Sequence, residues 1–161
     1  MNLIVVVDEK WGIGKNNGLL FRLKKDMAFF KETTTCKVVV MGANTFASLP
    51  NGALPNRVNI VLDDSGAEHD GATTVASLAE LDKALSRYNS CDVFVIGGAS
   101  VYEQLLEKCH RALVTKVAAD GNAEVFFPNL DEKKNWKLTS QRKTTDGEYE
   151  ISFCEYLNEN I

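Results

Sequence analysis

Leu3 to Val7 is an unbroken β-branched and aliphatic run that stops at Asp8, the pattern of a strand buried on both faces. The same signature returns at Lys37 to Met41, Arg57 to Leu62, Asp92 to Ile96 and Ala112 to Val117, with a shorter candidate at Thr73 to Val75. Helical spacing fills the intervals. It predicts a helix over Lys24 to Thr33, a short one from Gly42-Ala43-Asn44-Thr45 towards Pro50, one behind Ser77, and one from Ser100 to Lys108. Ser77-Leu78-Ala79-Glu80 carries the capping-box pattern, with Leu78, Leu81 and Leu85 as its apolar stripe. Beyond Val117 the helical pattern disappears. Strands are expected near Trp136 to Arg142 and Glu148 to Tyr156, with Thr145-Asp146-Gly147 as a hairpin turn. Trp11 to Gly18 is rich in Gly and Asn and reads as a loop.

Strands alternating with helices imply a mainly parallel sheet with helices on both faces, and the helix-free tail implies an antiparallel C-terminal edge. With 161 residues, a single α/β domain spanning 1–161 is expected.

One residue departs from this pattern. Asp26 falls on the apolar face of its helix, with Leu23 three residues before it and Phe29 and Phe30 three and four after. A carboxylate in an apolar setting is costly unless something pairs with it. Such a group binds a hydrogen-bond-donating ligand, handles a proton, or belongs to a structural ion pair.

Composition narrows the function classes. A net charge of −4 with no long basic run argues against nucleic-acid binding through bulk charge. Cys36, Cys91, Cys109 and Cys154 form no CxxC pair, and His69 and His110 are the only histidines, so no metal site is expected. Scattered thiols without a disulfide framework fit a reducing cytosol, so a cytoplasmic location is expected. The apolar N-terminal run is too short for a signal h-region, and no stretch approaches a membrane span.

Two strand ends suggest a dinucleotide. Gly42-Ala43-Asn44-Thr45 and Gly97-Gly98-Ala99-Ser100 each follow an apolar strand and open a helix, where free N–H groups suit phosphate. Neither matches the Rossmann fingerprint or the Walker loop, and either alone reads as an ordinary turn. Together with the Gly12 to Gly18 loop, Asp26 and Thr115, they gather at the carboxyl ends of strands, where open α/β sheets bind ligands.

In these segments the chain resembles the dihydrofolate reductase family. The matching stretches are Ile13-Gly14 through Phe30-Lys31, Val40-Met41-Gly42 with Thr45, Leu54-Pro55 with Arg57 and Asn59-Ile60, Val95 to Tyr102, Thr115, and Phe127-Pro128, in register from Leu3 to Tyr156. The resemblance implies reduction of 7,8-dihydrofolate to tetrahydrofolate for one-carbon metabolism, with inhibition by antifolates such as methotrexate or trimethoprim. It implies Asp26, Thr115 and Phe21 as the catalytic group. Asp26 would accept hydrogen bonds from the pterin N3 and 2-amino group, and Thr115 would link that carboxylate to the pterin through a water. Ile4 and Val5 would floor the pterin, with Met27, Phe30, Leu49 and Leu54 as walls. Arg57 would grip the carboxylate of the glutamate tail, a job suited to a planar fork. The cofactor contacts implied are Val6, Ile13, Gly14, Asn17, Gly18 and Leu19; Gly42, Ala43, Asn44 and Thr45; Leu62, Asp63 and Asp64; and Ile96, Gly97, Gly98, Ala99, Ser100, Val101, Tyr102 and Gln104. The resemblance also implies a cis Gly97-Gly98 bond and a mobile loop over Trp11 to Leu23. A monomer is expected.

Three departures from the family pattern matter. Ala43-Asn44 and Asp63-Asp64 stand where members preferring NADPH commonly carry Arg and Ser, Thr or Arg. A phosphate facing carboxylates is repelled, whereas a ribose hydroxyl can donate to one. NADPH remains the expected cofactor, with NADH the alternative. The charge change is worth about 2–4 kcal/mol of selectivity. Leu20-Phe21 replaces a Pro-Trp pair and removes an indole N–H near the pterin. Lys24-Lys25 replaces a Pro that suits the first helical turn, which loosens the helix start. Two other functions remain open at this point: a related reductase of a ribosylated pyrimidine, as in riboflavin synthesis, and an inactive nucleotide-binding module.

Overall fold

The apolar runs become the middle of one twisted sheet. A computed structural model describes residues 1–16 and 18–161. In chain order its strands are β1 (Asn2–Val7), β2 (Gly12–Gly14), β3 (Val38–Gly42), β4 (Val58–Leu62), β5 (Thr73–Val75), β6 (Val93–Gly97), β7 (Arg111–Val117), β8 (Val125–Phe126), β9 (Trp136–Asp146) and β10 (Tyr149–Asn158). Its helices are α1 (Lys24–Thr34), α2 (Ala43–Ser48), α3 (Leu78–Leu85) and α4 (Ala99–Leu105), the last continued by a 3₁₀ turn over Leu106–Lys108.

Eight strands run in the order β5-β4-β3-β6-β1-β7-β10-β9. The six from β5 to β7 are parallel, and β10 and β9 close the sheet antiparallel. Alternation assigns the faces. Leu3, Val5, Val38 and Val40 pack beneath Leu81 of α3 and Val101, Tyr102 and Leu105 of α4. Ile4, Phe94 and Leu113 meet Phe29 and Phe30 of α1, while Val39, Met41 and Val61 meet Ala43 and Phe46 of α2. The expected α/β architecture with helices on both faces is therefore present. No helix among the described residues is long and apolar enough to cross a membrane.

Three expectations need correction. The segment read as a loop from Trp11 to Gly18 contains β2, which pairs with β8. Strands of three and two residues are too short to show a period, and tertiary pairing supplies what local pattern does not. The capping box behind Ser77 is offset. Ser77 accepts from Glu80 N at 3.1 Å, but the Glu80 carboxylate takes the N–H of Ala76 at 2.6 Å instead of that of Ser77. The C-terminal strands also extend further than their pattern, as far as Asp146 and Asn158, with a two-residue turn at Gly147-Glu148 whose first residue has φ 62°.

Asp8 fastens the two loops beside β1. Its carboxylate is 2 % exposed. Oδ1 accepts from Lys10 N at 2.9 Å and Gly12 N at 2.7 Å, and Oδ2 accepts from Gly121 N at 3.0 Å. The loops also share the bonds Glu9 N to Ala119 O (3.1 Å), Glu124 N to Gly14 O (2.9 Å) and Phe127 N to Trp11 O (2.7 Å). A Cβ at Gly12 would overlap that of Ala123 and lie 2.9 Å from both Asp8 oxygens. Gly12→Ala is expected to cost about 1–3 kcal/mol of stability by urea denaturation; an unchanged midpoint would mean that the loops are not fastened here.

Candidate active site

Helix α1 and strand β7 bring the central pair together. Thr115 lies opposite Val6 of β1 and Phe153 of β10, and is 2 % exposed. Asp26, in the first turn of α1, comes down over it, and the Thr115 hydroxyl donates to Asp26 Oδ1 at 2.7 Å. The contact is direct, and it spans 89 positions of sequence. Burial raises the Asp26 pKa; the Thr115 hydrogen bond pulls the other way, and the charge of Asp146 adds to the rise.

Around this pair the structure arranges the other expected residues unequally. Ile4, Phe29 and Phe30 pack together beside it. Phe21 rests edge-on against Tyr149, ring centroids 5.0 Å apart, in a cluster with Leu23, Val117 and Ile151 and with Val6 against it. Leu49 and Leu54 lie half-buried against the Val39-Met41-Val61 cluster. Met27 is 54 % exposed and Leu19 74 %, so both stand out in solvent. Asn17 lies outside the described residues.

Arg57 is held as a fork. Its Nε donates to Pro55 O at 2.9 Å and its Nη1 to Thr34 Oγ1 at 3.1 Å. Among the described residues Nη2 has no protein partner, leaving one side of the guanidinium for an anion. Burial lowers its pKa from the ordinary arginine value. Two residues that sequence reasoning did not assign to the site do this positioning. Thr34, fully buried, donates to Phe30 O at 2.8 Å and presents its oxygen to Arg57. Asn59 takes Leu54 N at 2.9 Å and donates to Leu54 O and Arg57 O, fixing the turn that carries both residues. The available signal was a lone Asn inside an apolar strand, a group that must find partners when buried.

Beside the pair, the ends of β6 and β3 are neighbours, with Met41 opposite Gly97. The Gly97-Gly98 peptide is cis. Gly97 has φ 136°, and Cβ atoms at Gly97 and Gly98 would lie 3.3 and 3.1 Å from Thr45 Oγ1, so the glycines let α2 approach. Both α2 and α4 begin at glycines with no side-chain cap, Gly42 and Gly98, which leaves first-turn N–H groups for a ligand. They are only six and seven residues long, so the case for phosphate rests on those N–H groups more than on any dipole. Val101 and Tyr102 are buried, and the Tyr102 hydroxyl donates to Ile4 O at 2.8 Å, so both side chains serve the core. Gln104 Nε2 donates to Ser100 O and Oγ at 3.2 Å.

The chain matches the family model described as "Dihydrofolate reductase" over residues 1–158. It belongs to the dihydrofolate reductase family. Dihydrofolate reductase of Bacillus subtilis (strain 168) is 36 % identical, over 99 % of this chain and 95 % of that protein. The Haemophilus influenzae enzyme of the same name is 32 % identical, over 96 % of this chain and 86 % of its own length. Among solved structures, dihydrofolate reductase from Enterococcus faecalis complexed with NADP(H) and RAB-propyl aligns with a TM-score of 0.87 at 28 % identity, covering 98 % of this chain and 95 % of that one. Membership agrees with the resemblance read from Asp26, Arg57, Gly97-Gly98 and Thr115.

At the adenosine end of the expected cofactor groove, Gly42 pairs with Leu62, so Ala43-Asn44 lie beside Asp63-Asp64. Asp63 is not free. Oδ1 accepts from Ser65 N (3.0 Å) and Oγ (2.7 Å), and Oδ2 lies 2.9 Å from His69 Nε2. The Ser65 and His69 bonds lower its pKa. Asp64 and Asn44 are exposed.

The raised pKa of Asp26 has a consequence for stability. A carboxyl whose folded pKa exceeds its unfolded value makes the protein less stable as pH rises through that window. Asp26→Asn removes this cost while keeping an acceptor for Thr115. The variant is expected to be more stable than wild type at pH 7 by denaturant titration, with the gap closing below about pH 4. A variant less stable at pH 7 would show that ionised Asp26 is favourably paired.

Proposed function

We propose that this chain reduces 7,8-dihydrofolate to 5,6,7,8-tetrahydrofolate with NADPH. The observation that carries this is the Asp26–Thr115 pair, a largely buried carboxylate beside the apolar cluster of Ile4, Phe29 and Phe30. Its raised pKa keeps the acid poised to exchange a proton or hydrogen bonds with a neutral donor pair. A pterin offers such a pair at N3 and the 2-amino group. Two parallel bonds to a carboxylate are among the stronger polar contacts available in a site with little water.

The remaining residues divide the substrate between them. Ile4 lies under the ring, and Phe30, Leu49 and Leu54 flank the aminobenzoyl part. The Val5 side chain faces α3 and α4 on the other side of the sheet, so only its backbone can reach the site. Arg57, pre-oriented by Thr34 and Pro55, receives the glutamate carboxylate. Bound nicotinamide supplies the hydride that reaches pterin C6, and N5 takes a proton from water. Asp26 fixes the orientation of the ring and its electronics. Phe21 excludes water from that end of the site and has no polar atom with which to hold one. The protein's contribution is positioning and electrostatics.

For the cofactor, the uncapped starts of α2 and α4 and the hydroxyls of Thr45 and Ser100 fit a pyrophosphate, and the E. faecalis relative was solved with NADP(H). At the ribose, Asp63 is engaged by Ser65 and His69 and so is a poor acceptor for a hydroxyl, which removes part of the case for NADH. Ala43 itself carries no charge with which to grip a phosphate. We infer a working preference for NADPH that is smaller than a full phosphate clamp would give. The chain is expected to act as a monomer in the cytosol and to bind antifolates. The family match leaves the pyrimidine reductase reading without support.

The test is absorbance-monitored oxidation of NADPH and NADH in parallel with dihydrofolate. Turnover with NADPH, ahead of NADH by less than about tenfold in kcat/KM, is expected. A larger preference ends the NADH alternative, and no turnover with either overturns the assignment. Asp26→Asn is expected to lower kcat/KM at least about hundredfold at pH 7 while remaining folded; wild-type turnover in that variant would refute the role of Asp26.

A further inference from the structure

Helix α1 has no cap of its own. Leu23 stands at its N-cap and makes no side-chain hydrogen bond. The open N–H of Lys25 donates instead to Oδ2 of Asp146 at 2.7 Å, across 121 positions of sequence. Asp146 is 7 % exposed and is the last residue of β9, at the tip of the C-terminal hairpin. Two further contacts join the same tip to the same place. Lys25 Nζ donates to Thr144 Oγ1 at 3.2 Å, and the ring of Tyr149 meets that of Phe21.

The capped N–H is one residue before Asp26. An anion at a helix start satisfies an orphan donor and counters the positive end of the peptide dipoles. Left alone, that positive end would favour ionised Asp26, which occupies the first turn. A carboxylate parked there cancels the field and adds a like charge. We propose that Asp146 is a positioning residue for the pterin site: it fixes the start of α1 and sets its negative charge against the helix turn that carries Asp26. The catalytic consequence rests on the function proposed above; the effect on Asp26 does not.

The charged and titratable groups around Asp26 leave Asp146 as the nearby anion. On its own helix, Lys24, Lys25, Lys31 and Glu32 are exposed, Glu32 lies six residues beyond Asp26, and the Lys25 amine is turned to the hairpin. From β7 comes the neutral Thr115. From α4 comes Tyr102, which burial keeps un-ionised and whose hydroxyl is spent on Ile4 O. Arg57 reaches the far end of the helix, at Thr34. On β9, Arg142 lies over the Phe153 ring, 4.8 Å from its centroid. The direction of the Asp26 shift agrees, with the Asp146 charge acting in the same sense as burial.

Asp146→Asn keeps an acceptor for Lys25 N–H and removes the charge. Asp146→Ala removes both, and Asp146→Glu restores the charge. Asp146→Ser, a second neutral acceptor, covers the case in which the amide does not fit. The measurement is a ¹³C NMR pH titration of the Asp26 carboxyl in the full, ligand-free chain, with the resonance assigned by its absence in Asp26→Asn. The inflection is expected to fall by about half a unit in the Asn and Ser variants and to stay at the wild-type position in Glu. Thermal stability is expected to fall in Ala and to hold in Asn. The pH midpoint of hydride transfer with NADPH and dihydrofolate is expected to move down with the inflection. An unmoved inflection in the neutral variants overturns the proposal and leaves Asp146 a structural cap. Absence of turnover in wild type would refute the assigned reaction, while the titration would still decide the role of Asp146.

Discussion

The Thr115 hydroxyl and the Asp26 carboxylate meet at 2.7 Å where a helix crosses a sheet, and much of the molecule is arranged so that they can. A carboxylate taken from water costs several kcal/mol if it stays charged and alone. A single hydroxyl returns only about 1.5–3 kcal/mol. The difference is not made up within the protein, and the Asp26 pKa rises accordingly. A group left in this condition is one that a ligand with two matched donors would satisfy. The cost of the apolar setting and the capacity to accept such a ligand are therefore the same physical fact seen without and with it.

Everything that places this pair comes from elsewhere in the chain. Thr115 is set by the central position of β7 between β1 and β10. The helix bearing Asp26 is anchored by Phe29 and Phe30 against the sheet, by Thr34 and Arg57 at one end and by Asp146 at the other. The loops after β1 and β7 are bound to one another through the buried Asp8, which answers three backbone N–H groups. Asp8, Thr34, Asn59 and Asp146 share a trait: each is a buried polar side chain whose partners are mainly backbone groups or one functional side chain. The work of Asp8, Thr34 and Asn59 is geometric, whereas Asp146 adds its charge to the turn it holds.

The strands were legible because runs such as Leu3 to Val7 and Val38 to Met41 have no other stable home than a covered sheet. Asp26 was legible as an anomaly, and its meaning came from the register of the surrounding motifs. What the sequence hid was mostly long-range. The pairing of Gly12–Gly14 with Val125–Phe126 involves too few residues to leave a period. The start of α1 was read from Lys24-Lys25 only as loosened by the absence of Pro; the carboxylate that caps it sits on another strand and cannot be inferred from spacing. Asp63 was read as a charge facing the ribose. Its engagement with His69, six residues on, depends on how the loop after β4 folds back, with the His69 ring against Phe46 of α2.

The central claim is that the carboxylate of Asp26 receives a paired donor from a pterin-like ring. Calorimetric titration of wild type and Asp26→Asn with methotrexate, whose ring offers its 2-amino group and, once protonated, the neighbouring N1 as an equivalent donor pair, tests it most directly. Loss of the charged pair is expected to weaken binding about hundredfold or more, in line with about 1.5–3 kcal/mol for each hydrogen bond to a charged group. Equal affinity in the two proteins would mean that the ring is held elsewhere and that Asp26 is a structural acid.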